Sequence, residues 1–457
     1  MLNHLWLAML LTGVVVAGLT GQIKESVEGA IKGAETAVTL AFGLVGVMSL
    51  WLGVMRLAEA SGMVGAIARA LRPVLTRLFP DVPAEHPAMA SMTLNIAANM
   101  LGLTNAATPF GLRAMRDLES LNRRPGTATD AMCTFLAINT GSVQLIPASA
   151  IAVLAASGSV NPTAIVGSTL LATCCSSAVG LVAVKTLERL RVFRLSPAAT
   201  EREKAGSLGS ENPREDVLAR TPGSPASVAA GSRGGSERLA WWAWGLLALF
   251  GLGIVALVVV AAFPSIVGRV PDAAVVARPE WVRVMDAVSL LAIPFLLGFF
   301  PLYAALRRVP VYEEFVEGAK EGFQVAVRII PFLVAMLVAI GLLRGAGAIE
   351  WFTELLRSGL AAVGFPAELV PISLLRPLSG SASLAALKDV VNTLGPDHLV
   401  TRMAGTLFGS TETTFYVIAV YFGSVGVRRV RHAVWAGLAA DAAGIVASVV
   451  VCRAMFG

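Results

Sequence analysis

Four stretches of this sequence contain no Asp, Glu, Lys or Arg over a length that reaches across a lipid bilayer: Thr36–Met55, Trp241–Phe263, Ala287–Leu306 and the longer Ala131–Val184. Crossing the hydrocarbon core takes about 20 mostly apolar helical residues, because every backbone N–H and C=O must be bonded inside the segment. Ala131–Val184 is long enough for two crossings. Weaker spans are expected at Leu5–Thr20, Ile329–Leu343, Met403–Phe422 and Ala433–Val451, the last carrying Asp441. Leu5–Thr20 has no basic flank before it and no small-residue cleavage site, so it reads as a span, not a signal peptide. The expected fold is an all-α polytopic membrane protein of about ten to twelve membrane helices and re-entrant elements.

Composition agrees. The 457 residues are 56% hydrophobic and 14% charged, whereas a soluble domain is about a quarter charged. An ordinary soluble enzyme is excluded. The net charge of +6 reads as loop Lys/Arg on the cytoplasmic side of a membrane protein, with the lipid bilayer as partner and no nucleic acid. Cys133, Cys174, Cys175 and Cys452 lie in apolar runs without CxxC spacing, which indicates neither a zinc site nor a disulfide framework. The histidines His4, His86, His398 and His432 are scattered through flanks and loops, and no Walker or HExxH motif is present.

The one long polar stretch, Arg189–Ala240, is rich in Ser, Gly, Pro and charge, with nine Lys/Arg against six Asp/Glu. It reads as a disordered cytoplasmic linker. The expected organisation is an N-terminal repeat over 1–188, this linker over 189–240, a connecting transmembrane hairpin over 241–306 and a C-terminal repeat over 307–457.

The two repeats show in four matches in the same order. VEGAIKGAETAV (Val27–Val38) parallels VEGAKEGFQVAV (Val316–Val327), and the basic amphipathic stretch Gly62–Phe79 parallels Gly347–Phe365. Asn105–Leu118 parallels Gly380–Val390, and Asn139–Val160 parallels Leu407–Val427. The last helix of the first half runs toward Arg189, Arg191 and Arg194, whereas the last helix of the second half starts after Arg428, Arg429, Arg431 and His432. Both basic clusters belong in the cytoplasm, so equivalent helices run in opposite directions. Inverted repeats with broken helices characterise many secondary transporters, whose sites lie at the repeat interface.

Between the spans lie runs too polar for lipid and too apolar for water: Asn95–Pro109, Asn139–Pro147, Arg376–Ser383 and Gly409–Thr414. Gly and Pro break helices there and free backbone groups that need a partner or a solute. The groups on offer suit a small polar, hydrogen-bonding solute. They are Asn95, Asn99, Asn105, Thr108, Asn139, Thr140, Ser142, Gln144, Arg376, Ser379, Ser381, Ser383, Ser410, Thr411 and Thr413. Glu412 and Asp441 are the candidate ion-coupling residues, since an intramembrane charge is functional by default. The alternative for Glu412 is a structural ion pair with Arg376, and for Arg376 the binding of freed carbonyls. Asp441, nine residues beyond His432, is expected at shallow depth. The alternative for the Asn, Ser and Thr residues is interhelical glue.

NIAANMLGLTNAATPFGLRAM and INTGSVQLIPASAIAV resemble the first of the paired bacterial spore maturation proteins, A. RPLSGSASLAAL and GSTETTFYVIAVYFGSVGVRRVRHA resemble the second, B. The chain thus resembles an A–B fusion over Met1–Leu190 and Val309–Gly457. The resemblance implies two Gate-type, nucleoside-recognition repeats, also described in concentrative nucleoside transporters and in ferrous-iron transporters. It implies a transport-like membrane fold and does not identify a solute. Read with the polar runs, the expected function is a multi-pass secondary transporter or channel-like permease of the bacterial inner membrane for a small polar solute, nucleoside-like or otherwise, with Na⁺ or H⁺ as the candidate coupling ion, no other cofactor and no bound metal. A membrane scaffold or regulator of envelope maturation is the alternative. An intramembrane serine enzyme is disfavoured because no membrane-depth His or Lys base is apparent. A homo-oligomer is compatible with such a bundle, though no motif specifies one.

Overall fold

The computed structural model describes residues 2–101, 104–141, 144–190, 192–193, 240–267, 279–348, 351, 354, 360 and 364–457. Most of the expected linker (194–239), most of the second amphipathic stretch (Gly347–Phe365), Ser142 and the side chain of Asn105 lie outside the described residues.

The first half comprises α1 (Leu2–Thr20), α2 (Ile23–Ala60), α3 (Met63–Leu78), α4 (Pro87–Met100), α5 (Thr104–Glu119), α6 (Asp130–Thr140), α7 (Ala148–Ala156) and α8 (Ile165–Leu187). Then come α9 (Trp241–Ala262) and α10 (Glu280–Leu306). The second half comprises α11 (Val311–Gly345), α12 (Val370–Leu375), α13 (Gly380–Leu394), α14 (Leu399–Ser410), α15 (Thr414–Ser424) and α16 (Ala433–Phe456). No strand occurs among the described residues. The helices α2, α9, α10 and α16 are long and apolar enough to cross a membrane, as is α8 with the 3-10 turn that precedes it.

The halves are related by inversion. The long helices α2 and α11, which carry the matched VEGA stretches, pack antiparallel: Gly345 lies against Glu25, Gly341 against Gly29, Gly33 against Leu337, and Gly318 against Leu52. A Cβ on any of these glycines would strike backbone of the other helix. The final helices α8 and α16 do the same, with Gly180 against Ala440 and Gly444 against Ser176. Small residues let membrane helices approach to backbone contact, and dispersion packing holds them there. Equivalent helices running against each other are what inverted repeats require.

Pro87 opens α4, whose first turn is capped by the His86 imidazole accepting from the Ala88 N–H at 3.2 Å. At about 21 and 24 Å, α4 and α5 are too short to cross. They pack antiparallel as a helical hairpin, with Asn95 bonded to the Ala107 carbonyl and Ser91 to Asp117. In the second half α12 and α13 are the counterpart, joined by Arg376–Ser379, with Ser379 capping α13 through the Ala382 N–H.

The stretch expected to hold two crossings contains one broken crossing and one whole one. Short α6 and α7 are separated at 141–147, and α8 follows. The counterpart, α14 and α15, breaks at Thr411–Thr413. Each pair is two short helices joined by a break.

Both ends of the bundle are tied across the halves. At the end rich in arginine, Arg431 donates to Asp130 Oδ1 at 2.7 Å and to the Ala128 and Phe193 carbonyls, while Arg428 and Arg429 N–H groups share the Gly126 carbonyl. Arg431 adopts φ +50°, a left-handed conformation uncommon outside glycine, and these bonds hold it there. At the opposite end Asp397 accepts from the Ser159 hydroxyl at 2.7 Å and the Val160 N–H at 3.0 Å. The two ties are equivalent by the inversion: a carboxylate at the start of one half's broken helix grips the loop that ends the other's.

Candidate functional site

Each hairpin tip meets the break of its own half. The Leu145 N–H donates to the Met100 carbonyl at 3.2 Å, and its counterpart, the Phe415 N–H, donates to the Pro377 carbonyl at 3.0 Å. The two breaks meet each other in turn: Pro147 lies against Gly409, where even a Cβ would be at 2.5 Å. Thr140 and Thr414 fill the space that Gly437 leaves on α16. The four segments singled out as too polar for lipid therefore converge between the halves.

On the first-half side, Asn99 donates to Asn139 Oδ1 at 2.9 Å, and Asn139 donates back to the Phe135 carbonyl of its own helix at 2.9 Å. Asn95 donates to the Ala107 carbonyl at 2.7 Å and reaches the Tyr421 hydroxyl of the second half at 3.3 Å. Tyr421 also stacks on Phe135. It lies in an otherwise apolar run, IAVYFG; only its lone hydroxyl could have marked it as part of the site.

On the second-half side, Arg376 at the hairpin tip is 3% exposed. Its Nε donates to the Thr411 hydroxyl at 3.2 Å and its Nη2 to the Thr411 carbonyl, while the guanidinium lies 4.3 Å from the centre of the Phe408 ring. Arg376 thus binds a carbonyl freed by the break. Its approach to Glu412, 3.8 Å, is longer and looser than a hydrogen-bonded pair. Glu412 instead accepts from the Thr413 N–H at 3.3 Å and keeps about a quarter of its side chain exposed.

Asp441 is buried in the protein interior. It lies more than two turns into α16, is 2% exposed, and accepts from the Thr414 hydroxyl at 2.6 Å. Its Oδ1 has no partner.

The buried members of the set spend their hydrogen bonds on the protein. Ser383 donates to the Ser379 carbonyl, Ser410 pairs with Ser448, Thr140 donates to the Ala137 carbonyl, and Thr411 donates to the Leu407 carbonyl. Thr413 is buried beside Glu412. Asn99, Thr108, Gln144, Ser381 and Glu412 retain partial exposure at this junction.

A further buried cation lies near the Asp397 end of the bundle. Lys388 on α13 is buried, and its ammonium donates to the Ser157 hydroxyl at 2.8 Å. Ser157 is the C-cap of α7, so the cation sits at the carbonyl end of a half-helix, where the helix dipole favours positive charge. The lysine follows the apolar stretch LAAL and is followed at once by Asp389, a charged pair in a mostly apolar helix. Methionine at Lys388 is expected to cost about 1–2 kcal/mol, the upper range for a partly buried cation at a helix end, measured by thermal unfolding of the purified protein.

The nucleoside recognition (Gate) family matches residues 41–158 and 326–428. Those two stretches run from the middle of α2 to the end of α7 and from α11 to the end of α15, equivalent parts of the two halves. Spore maturation protein B of Bacillus subtilis (strain 168) is 44% identical over 175 residues, 38% of this chain and 98% of that protein. Spore maturation protein A of the same organism is 44% identical over 173 residues, 38% of this chain and 88% of that protein.

Proposed function

This chain belongs to the spore maturation protein A and B family, with counterparts of both in one polypeptide, and from that premise we propose that it is a secondary transporter for a small polar solute. The observation that carries this is the meeting of two broken helices and two helical hairpins around Arg376, Glu412 and Asp441. Irregular backbone and charge at membrane depth are tolerated where they serve a binding site. The solute, nucleoside-like in its mix of ring faces and hydroxyls, contacts the partly exposed Asn99, Gln144, Ser381 and Glu412 first. Asn105 and Ser142 are expected to join them.

Coupling falls to the carboxylates. Arg376 offsets about one of the two charges of Glu412 and Asp441, and Asp441 Oδ1, which has no hydrogen-bond partner, is the atom that would take Na⁺ or H⁺. The ties at the two ends give the rocking motion its gates: Arg431 with Asp130 at one, Asp397 with Ser159 and Val160 at the other. The positive-inside rule puts the basic tie on the cytoplasmic side, which supports reading the chain as a bacterial inner-membrane protein with the linker inside the cell.

Ligand binding raises native stability by mass action, so the test needs no transport assay. The purified protein is heated against nucleosides, nucleobases, amino acids and metal ions, with and without Na⁺, as wild type, Glu412→Gln and Asp441→Asn. A nucleoside should stabilise wild type with an ion dependence that one or both variants lose. If no nucleoside, nucleobase or amino acid shifts wild type and the variants merely unfold earlier, transport is overturned in favour of a membrane scaffold, whatever metal ions do.

A further inference from the structure

His432 is the N-cap residue of α16, fully buried, and neither ring nitrogen has a hydrogen-bond partner. Burying an imidazole with both nitrogens unpaired is costly, and such a group in a native fold calls for a missing partner. What surrounds it suggests that partner. Asp130 at the start of α6 and Glu188 at the C-cap of α8 offer carboxylate oxygens that, with a His432 nitrogen, all lie within 4.8 Å of one another. That gap is too wide for a hydrogen bond. It is close to the span of ligand atoms around a single ion, which sit about 3.4 Å apart at tetrahedral Zn²⁺ with bonds near 2.1 Å.

We propose that Asp130, Glu188 and His432 form a binding site for one divalent first-row transition metal of zinc-like preference at the arginine-rich end of the bundle. One imidazole nitrogen and two carboxylate oxygens with an open fourth position suit such an ion better than Mg²⁺ or Ca²⁺, which take oxygen alone. Cys133, one turn further along α6, is directed to the Val430 carbonyl and stays outside the donor set. Asp130 Oδ1 also bonds Arg431 and Glu188 Oε2 also bonds Lys185, and the two oxygens of a carboxylate can serve such a cation and an ion together. Arg431 does not depend on Asp130 for its place, since the Phe193 and Ala128 carbonyls also hold it. Asp130 is 39% exposed in its side chain and gives the ion its route in.

The site is written across the two halves, with two ligands from the first and one from the second. A bound ion would add to the Arg431 tie and staple that end shut. Binding stands or falls apart from the transport reading, because it is measured with no solute present.

The test uses the full-length, tag-free protein, stripped with chelator and titrated with Co²⁺ as an optical probe, then with Zn²⁺ and Mg²⁺ as competitors. Wild type should take up one Co²⁺ with visible absorption that Zn²⁺ abolishes and Mg²⁺ does not, and Zn²⁺ should raise its melting temperature. His432→Gln and Glu188→Gln should each weaken uptake by at least about 100-fold, the upper end of the effect of losing an outer-shell partner. Glu188 lies at a helix end, so its variant should melt like metal-free wild type; if His432→Gln does not fold, Glu188→Gln decides. No uptake by wild type, uptake unchanged in Glu188→Gln, or displacement by Mg²⁺ as readily as by Zn²⁺ would each overturn the site and leave an ordered water as the partner of His432.

Discussion

Leucine in place of Gly341 is expected to destabilise the protein by about 3 kcal/mol or more, at or beyond the upper end of overpacking costs. The reason is the α2–α11 seam. A Cβ at position 341 meets the backbone carbonyl of Gly29, and a Cβ at Gly29 meets the carbonyl of Gly341, so no rotamer change relieves the clash and the helices must part. Parting them also exposes Ser26, whose hydroxyl bonds the Leu342 carbonyl at 2.8 Å, and loosens α1, which Trp6 ties to the Ala335 carbonyl. Alanine at 341 should already cost about 1–3 kcal/mol. Leucine at Gly245 on α9, where nothing lies within 4 Å of the added Cβ, should stay within about 0.5 kcal/mol of wild type. Thermal unfolding of the three variants reads the difference. Equal melting of Gly341→Leu and Gly245→Leu would mean that the halves do not meet along this seam.

The seam also shows what the sequence could and could not tell. The VEGA matches and the opposed basic clusters were enough to infer inversion, because periodicity and charge bias survive in one dimension. Which glycines face one another was not legible, since Gly29 and Gly341 lie on different halves and their meeting is a fact of packing. Gly141 and Pro147 flank the break between α6 and α7 and act on their own backbone, whereas the break at Thr411–Thr413 holds neither Gly nor Pro, and Gly409 beside it lies inside α14. The hairpins were harder: α4 and α5 carry enough apolar residues to pass for a crossing, and only their antiparallel pairing shows otherwise. In the site, residues that interact locally, such as Glu412 with Thr413, were read from spacing. Contacts between distant stretches were not: Tyr421 with Asn95, Lys388 with Ser157, and His432 with Asp130 and Glu188 each join residues more than 200 apart or bridge three elements.

Methionine in place of Arg376 is expected to cost about 3–5 kcal/mol, the effect of removing one member of a buried charged group and stranding the rest. Two separate debts arise. The Thr411 carbonyl, freed by the helix break, loses its donor, and Glu412 and Asp441 lose the only cation facing them from the hairpin tip. The variants separate these. Arg376→Lys keeps the charge but not the fork that reaches both Thr411 oxygens, so it should fall between wild type and Arg376→Met. Adding Asp441→Asn to Arg376→Met removes one stranded carboxylate and should recover part of the loss, a coupling that a double-mutant cycle reads directly. Losses that simply add would show that Arg376 serves the carbonyl alone. Recovery would show that guanidinium and carboxylates form one electrostatic unit, and such a unit, with one carboxylate oxygen left bare, is the arrangement that lets an entering cation change the stability of the junction between the halves.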